Sequence, residues 1–209
     1  MFKRTFGVFL SLALLGALIV GATVVRADGS DDNATPCTAT TPVTPPTDDN
    51  GGGKGDTRLI RFDRNGGSAS DDNESGSASH DVMDGQAGND DINGEAGDDD
   101  MCGDDGNDVM KGGSGDDHMS GGAGSDDVQG QSGDDVERGN AGNDEVDGNS
   151  GDDNLNGGPG RDTISGGKGN DRINARDGQR DHVSCGAGTD TVRADKSDVV
   201  SKDCEKVTR

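Results

Sequence analysis

The sequence contains no tryptophan and no tyrosine, and aromatic residues make up only 2% of its 209 positions. Hydrophobic residues of all kinds reach 26%. That is too little apolar matter for the interior of an ordinary globular domain, and such compositions usually mark disordered chains. Basic residues are scarce as well. There are 19 Lys and Arg against 42 Asp and Glu, which gives a net charge of −23. A field of that sign repels nucleic acid and anionic membrane surfaces, and it attracts cations. Catalytic signatures are missing too. His80, His118 and His182 lie far apart, and there is no His-Glu-x-x-His run, Gly-x-Ser-x-Gly elbow or Walker loop. The chain is expected not to be an enzyme.

What the chain has is order at a period of nine. From Gly85 the first ninth is Gly85-Gln86-Ala87-Gly88-Asn89-Asp90-Asp91-Ile92-Asn93. Glycine takes the first and fourth places, aspartate the sixth, and an aliphatic residue the eighth. The sixth-place aspartates are Asp81, Asp90, Asp99, Asp108, Asp117, Asp126, Asp135, Asp144, Asp153, Asp162 and Asp171, without a slip of register. The first- and fourth-place glycines are Gly85 and Gly88, Gly94 and Gly97, Gly103 and Gly106, Gly112 and Gly115, Gly121 and Gly124, Gly130 and Gly133, Gly139 and Gly142, Gly148 and Gly151, Gly157 and Gly160, and Gly166 and Gly169. Aliphatic residues spaced by nine are not scattered, so the periodicity overrides the disordered composition. Two glycines within four residues predict a tight turn at positive φ. The turn is expected to point carbonyls inward and to supply one carboxylate. Places seven to nine are expected to form a short strand with the eighth side chain facing in.

These ninths resemble the nonapeptide repeats of the RTX, or hemolysin-type, calcium-binding family. The resemblance implies an all-β fold, a parallel β-roll or right-handed β-solenoid in which two ninths make one coil. Turns eighteen residues apart would then stack. Asp81, Asp99, Asp117, Asp135, Asp153 and Asp171 would line one edge, and Asp90, Asp108, Asp126, Asp144 and Asp162 the other. The implied cofactor is Ca²⁺, several ions, shared between turns, because one turn cannot supply the six to eight oxygens that calcium takes. Carboxylates stacked about 4.8 Å apart repel one another without a cation, so the ion would be part of the fold.

The eighth places supply the core: Met83, Met101, Met119, Glu137, Leu155 and Ile173 on one face, and Ile92, Met110, Val128, Val146 and Ile164 on the other. Glu137 breaks the rule. The expectation there is either a slip that buries Val136 or a frayed coil, with Glu137→Val stabilising. The second place varies. Gly113, Gly122, Gly158 and Gly167 fit the family pattern, while Gln86, Glu95, Asp104, Gln131, Asn140 and Asn149 depart from it. Those turns are expected to be stiffer or to bind less tightly. Asp152-Asp153-Asn154 imitates the start of an EF-hand loop, but the place of the closing acid holds Thr163.

Outside the repeats, residues 1–27 have the pattern of a secretory leader. Lys3 and Arg4 open it, an uncharged run follows to Val25, and Val25-Arg26-Ala27 suits cleavage. Residues 28–56 form a Thr/Pro/Gly/Asp linker with nothing to pack. Residues 57–75 hold Leu59, Ile60 and Phe62, a strand expected to cap the stack, and a degenerate repeat. The roll spans 76–193, with the pattern arriving one residue late at Asp181, and a C-terminal cap spans 194–209. In an exported chain four cysteines favour disulfides. Cys185 and Cys204, about one coil apart, are expected to pair. Cys37 and the outward Cys102 remain open between a mutual bond, a bond to another chain, and free thiols.

The expected role is structural or adhesive: a secreted or cell-surface protein that folds on calcium, with cell-surface or matrix components as further partners. Nucleic acid is excluded as a partner, and a membrane enters only if the leader stays uncleaved. A complete leader is expected to mean a whole chain. The alternatives are a non-catalytic RTX module of an exported enzyme or toxin, and an acidic protein that binds mineral.

Overall fold

The structure is a computed structural model, and it describes residues 58–61 and 70–209. The leader and the 28–56 linker lie outside the described residues, as does Phe62. Among the described residues every regular element is a strand. In chain order these are β1 (Arg58–Arg61), β2 (Asn73–Ser75), β3 (Asp81–Asp84), β4 (Asp91–Asn93), β5 (Asp100–Asp105) and β6 (Val109–Ser114). Then come β7 (His118–Ala123), β8 (Asp127–Ser132), β9 (Val136–Ala141), β10 (Glu145–Ser150), β11 (Asn154–Asn156) and β12 (Thr163–Lys168). The last are β13 (Arg172–Ala175), β14 (His182–Ala187), β15 (Thr191–Ala194), β16 (Val199–Val200) and β17 (Lys206–Thr208). Among these residues no helix is long and apolar enough to cross a membrane.

Odd-numbered strands form one nine-stranded sheet and even-numbered strands an eight-stranded sheet, and every strand pairs in parallel with the strand two further on. This is a β-solenoid: the chain passes from sheet to sheet at each turn and returns after eighteen residues. Identical places lie side by side, as in Met101 beside Met119, Met119 beside Glu137, and Glu137 beside Leu155.

The strands are longer than the spacing predicts. Many run six residues, from the seventh place through the third place of the next ninth, with inward positions alternating. The eighth and first places are buried, and so is the sixth. Strand alternation therefore turns aspartate, aliphatic residue and glycine inward together. Eighth-place side chains fill the space between the sheets; Met83, Ile92, Met101, Met110, Met119, Val128, Val146, Leu155 and Ile164 are fully buried. Burying each contributes about 1.5–3 kcal/mol, which gives this aromatic-poor chain its core.

The glycines do different jobs. First-place glycines have no positive φ. They are needed for space, because a Cβ on Gly94 would lie 2.5 Å from both Asp99 Oδ2 and the Gly112 carbonyl oxygen. Fourth-place glycines other than Gly160 need their conformation as well. Gly124 has φ 152°, and a Cβ there would overlap the Gly106 carbonyl oxygen of the preceding coil. At the second place the six non-glycine residues adopt φ between 66° and 76°, and the glycines 98° to 118°. Both sets turn left-handed, a conformation costing an L-residue about 1–2 kcal/mol.

β1 pairs with β3, and β16 and β17 extend the two sheets past the repeats. Cys185 and Cys204 form a disulfide with their Cα atoms 5.1 Å apart. Cys102 follows inward-facing Met101 and so keeps its expected outward position, but it is covered. It is only 5% exposed, and it is disulfide-bonded. Cys37 lies outside the described residues.

Candidate metal centre

Each sixth-place aspartate is buried, and the side chains form two ladders, one along each edge. From Asp90 onward, Oδ1 accepts the main-chain N–H of the aspartate one coil earlier, while Asp81 at the start of its row bonds locally to Ser77 through Oδ2. Asp81 N–H donates to Asp99 at 2.7 Å, Asp99 N–H to Asp117 at 2.8 Å, Asp117 N–H to Asp135 at 2.8 Å, and Asp135 N–H to Asp153 at 2.9 Å. On the other edge Asp90, Asp108, Asp126 and Asp144 donate in the same way to Asp108, Asp126, Asp144 and Asp162. The structure thus brings together the two rows that the resemblance implies.

The second oxygen is the informative one. Oδ2 of Asp90, Asp99, Asp108, Asp117, Asp126, Asp135, Asp144, Asp153, Asp162 and Asp171 is buried and has no hydrogen-bond partner. It lies against the first-place glycine of its own turn, where a main-chain oxygen also arrives: at Gly94 the Gly112 carbonyl, at Gly112 the Gly130 carbonyl, at Gly148 the Gly166 carbonyl. Burial is the largest cause that raises these carboxyls above the ordinary aspartate range. It pushes Asp99, Asp108, Asp135, Asp144 and Asp162 up to about 6. Burial with the charges of Asp135 and Asp99 pushes Asp117 up to about 8, and burial with Asp135 and Asp171 pushes Asp153 up to about 7.

A buried carboxylate oxygen without a donor is stabilised by a cation. Carboxylate and carbonyl oxygens are hard donors that suit Ca²⁺. No group of three or more acidic, His or Cys side chains that could hold a metal ion occurs among the described residues. No turn therefore offers a full side-chain ligand set, and further oxygens have to come from the main chain. The donor set fits calcium held between turns, and it does not fit a side-chain cage for a transition metal.

The ladders extend beyond the residues that strict spacing selects. Asp162 N–H donates to Asp181 Oδ1 at 2.9 Å, and Asp171 N–H to Asp190 Oδ1 at 2.9 Å, each across nineteen residues. Asp181 N–H continues to Asp198 and Asp190 N–H to Glu205. The signal was the recurring Asp-x-Val, displaced by the one residue inserted in the preceding turn.

A second ladder, at the fifth place, runs in the opposite sense. Asp116 N–H donates to Asp98 Oδ1 at 3.0 Å, Asp134 N–H to Asp116 at 2.8 Å, and Asp152 N–H to Asp134 at 2.8 Å. On the other edge Asn107 N–H donates to Asn89 Oδ1 at 3.0 Å. These residues cap the turns in the manner of Asx residues.

Two histidines distant in sequence flank one carboxylate. His80 Nε2 and His118 Nδ1 each lie 3.7 Å from an Asp100 carboxylate oxygen, and His80 Nδ1 contacts the Asp98 carbonyl.

Glu137 departs from both expectations made for it. The strand neither slips nor frays: β9 is a full six residues, and Glu137 lies in register between Met119 and Leu155. Its side chain is fully buried. The ladder hydrogen bonds fix the register, so the sheet keeps this residue inward. Burial is the main cause that raises its carboxyl well above the ordinary range, and Asp135, Asp153 and Asp147 add to the shift.

The family model for the RTX calcium-binding nonapeptide repeat, in blocks of four copies, matches at residues 66–101, 75–110, 103–137, 129–164, 138–173, 147–181 and 157–192. The chain belongs to the RTX calcium-binding repeat family. Together the matches run unbroken from residue 66 to 192, through both aspartate ladders and past the inserted residue. Calcium binding is what RTX repeats of this kind imply. No curated protein matches the chain.

Proposed function

We propose that the chain is an exported, calcium-folded RTX protein with a structural or adhesive role at the cell surface or in the matrix, and that it acts without catalysis. The observation that carries the calcium part is the row of buried Oδ2 atoms without partners, each beside a glycine and at most turns beside a main-chain oxygen as well. Asp81 to Asp171 at the sixth places are the proposed carboxylate ligands, and Asp181 and Asp190 continue the two rows. The glycines at the first and fourth places leave the space in which main-chain oxygens approach. Bound ions neutralise stacked carboxylates that otherwise repel, so calcium and the folded roll stand or fall together. The leader pattern of residues 1–27 supports export, where calcium is abundant. The net charge of −23 supports a cation-rich surface that binds matrix or cell-surface components through shared ions.

Isothermal titration of the full chain tests the calcium part. Several Ca²⁺ ions should bind, and Mg²⁺ should compete poorly, because it requires a small octahedron and retains its waters. A flat Ca²⁺ titration would reject it. Cell fractionation with N-terminal sequencing tests export: mature chain starting at Asp28 in the medium supports it, and full-length chain in the cytoplasm contradicts it.

A further inference from the structure

Glu137 is a fully buried carboxylate in the middle of the roll, and neither of its oxygens has a hydrogen-bond partner among the described residues. The Gly130 amide faces it but falls outside hydrogen-bond geometry. Arg138 follows in the strand and lies on the opposite face, so it does not pair with Glu137. The strongest charges acting on Glu137 are those of Asp135, Asp153 and Asp147, all negative. The group that would satisfy this side chain is a cation.

Its position points to the same conclusion. A Cβ built on Gly130 would overlap both Asp135 Oδ2 and Glu137 Oε1. At Gly94, Gly103, Gly112, Gly139 and Gly148 the oxygen that accompanies the aspartate is a main-chain carbonyl. Only at Gly130 among the repeat turns is it a side-chain carboxylate. The layer also divides the core. One cluster of buried apolar residues runs from Met83 to Val128, and a second begins at Val146 and runs to Ala194. Glu137 sits at the break between them.

We propose that Glu137 is an inward-facing calcium ligand: with Asp135 it gives the Gly130 turn two carboxylate oxygens, and the ion bound there joins the two apolar halves of the roll. This rests on the reading that the turns take up calcium, and it assigns one turn a donor that the repeat pattern does not contain. Affinity for calcium rises with the number of charged ligands, so this turn is the tightest in the roll and the first to fill.

The test uses the full chain, Ca²⁺ as the probe, and two variants. Glu137→Gln keeps the shape and removes the charge. Glu137→Val matches Val128 and Val146 across the core. Titration calorimetry should show that both variants lose the tightest class of Ca²⁺ site. The free Ca²⁺ at the midpoint of folding should rise by about tenfold in each. In chelator, Glu137→Val should be at least as stable as the parent chain, because it removes a buried charge. If the parent binds Ca²⁺ and both variants bind it with an unchanged profile, Glu137 is not a ligand and the proposal falls while the family reading stands. If the parent binds no Ca²⁺, the family reading falls first and takes the proposal with it.

Discussion

Asp117→Asn separates the two jobs that the structure gives a ladder aspartate. The Asp117 side chain is fully buried. Its Oδ1 accepts the Asp99 N–H at 2.8 Å, and its Oδ2 has no partner. Asparagine keeps an oxygen for the Asp99 N–H and puts a neutral NH₂ in place of Oδ2. Burial, with the Asp135 and Asp99 charges, pushes the Asp117 carboxyl up to about 8. A pKa raised in the folded state stabilises the fold while the group is protonated. That contribution is complete below about pH 4 and is lost as the pH rises through about 8. Each unit is worth about 1.4 kcal/mol, so the shift amounts to several kcal/mol at face value, and water reaching the metal-free turn reduces it to about 2 kcal/mol. In chelator, then, β-sheet signal should grow as the pH falls from about 8 toward 5, and Asp117→Asn should hold that signal to higher pH than the parent. In saturating Ca²⁺ the order should reverse. The variant lacks a charged ligand, and its thermal midpoint at neutral pH should fall by several degrees, the shift that about 2 kcal/mol produces in a domain of this size. Circular dichroism against pH and temperature reads both. Asp117→Asn that is less stable than the parent in chelator at pH 8 would refute the reasoning, since the carboxylate would then have a protein partner rather than a cation.

Position in the stack and space at the turn give two further expectations. Asp126→Ala removes a carboxylate flanked by coils on both sides and orphans the Asp108 N–H, so it should raise the Ca²⁺ midpoint more than Asp81→Ala, whose carboxylate bonds locally to Ser77; equal midpoints would argue against shared, stacked sites. Gly124→Ala should prevent folding or cost at least about 3 kcal/mol, because its Cβ overlaps the Gly106 carbonyl at φ 152°, whereas Gly178→Ala, at φ 90° with open space around it, should cost only about 1 kcal/mol in thermal denaturation.

The period of nine made most of this fold legible. Aspartate and an aliphatic residue two places apart fix a strand face, and the eighteen-residue coil follows from the stacking that the family implies. Cys185 and Cys204 then fall about one coil apart and pair as expected. What escaped is what depends on main-chain detail. The first-place glycines were expected to supply positive φ, yet none has it; they are small because a carboxylate oxygen lies too close to where a Cβ would sit. The non-glycine second places, expected to be stiffer or to bind less tightly, turn out left-handed like the glycines, Asn140 at φ 71° and Asn149 at 66° against 98° for Gly158. Asp181 and Asp190 were displaced by one inserted residue, which a strict count of nine passes over and hydrogen bonding restores. Glu137 was judged by its side chain alone, while the ladder on both sides holds its backbone in register.

The most direct test of the central claim is a Ca²⁺ titration of the full chain followed by circular dichroism at neutral pH. Chelator-treated protein should give a coil spectrum, and Ca²⁺ at about millimolar concentration should produce β-sheet signal in one cooperative transition. A chelated spectrum identical to the calcium-bound one would contradict the account, because the buried carboxylates would then be satisfied without the ion.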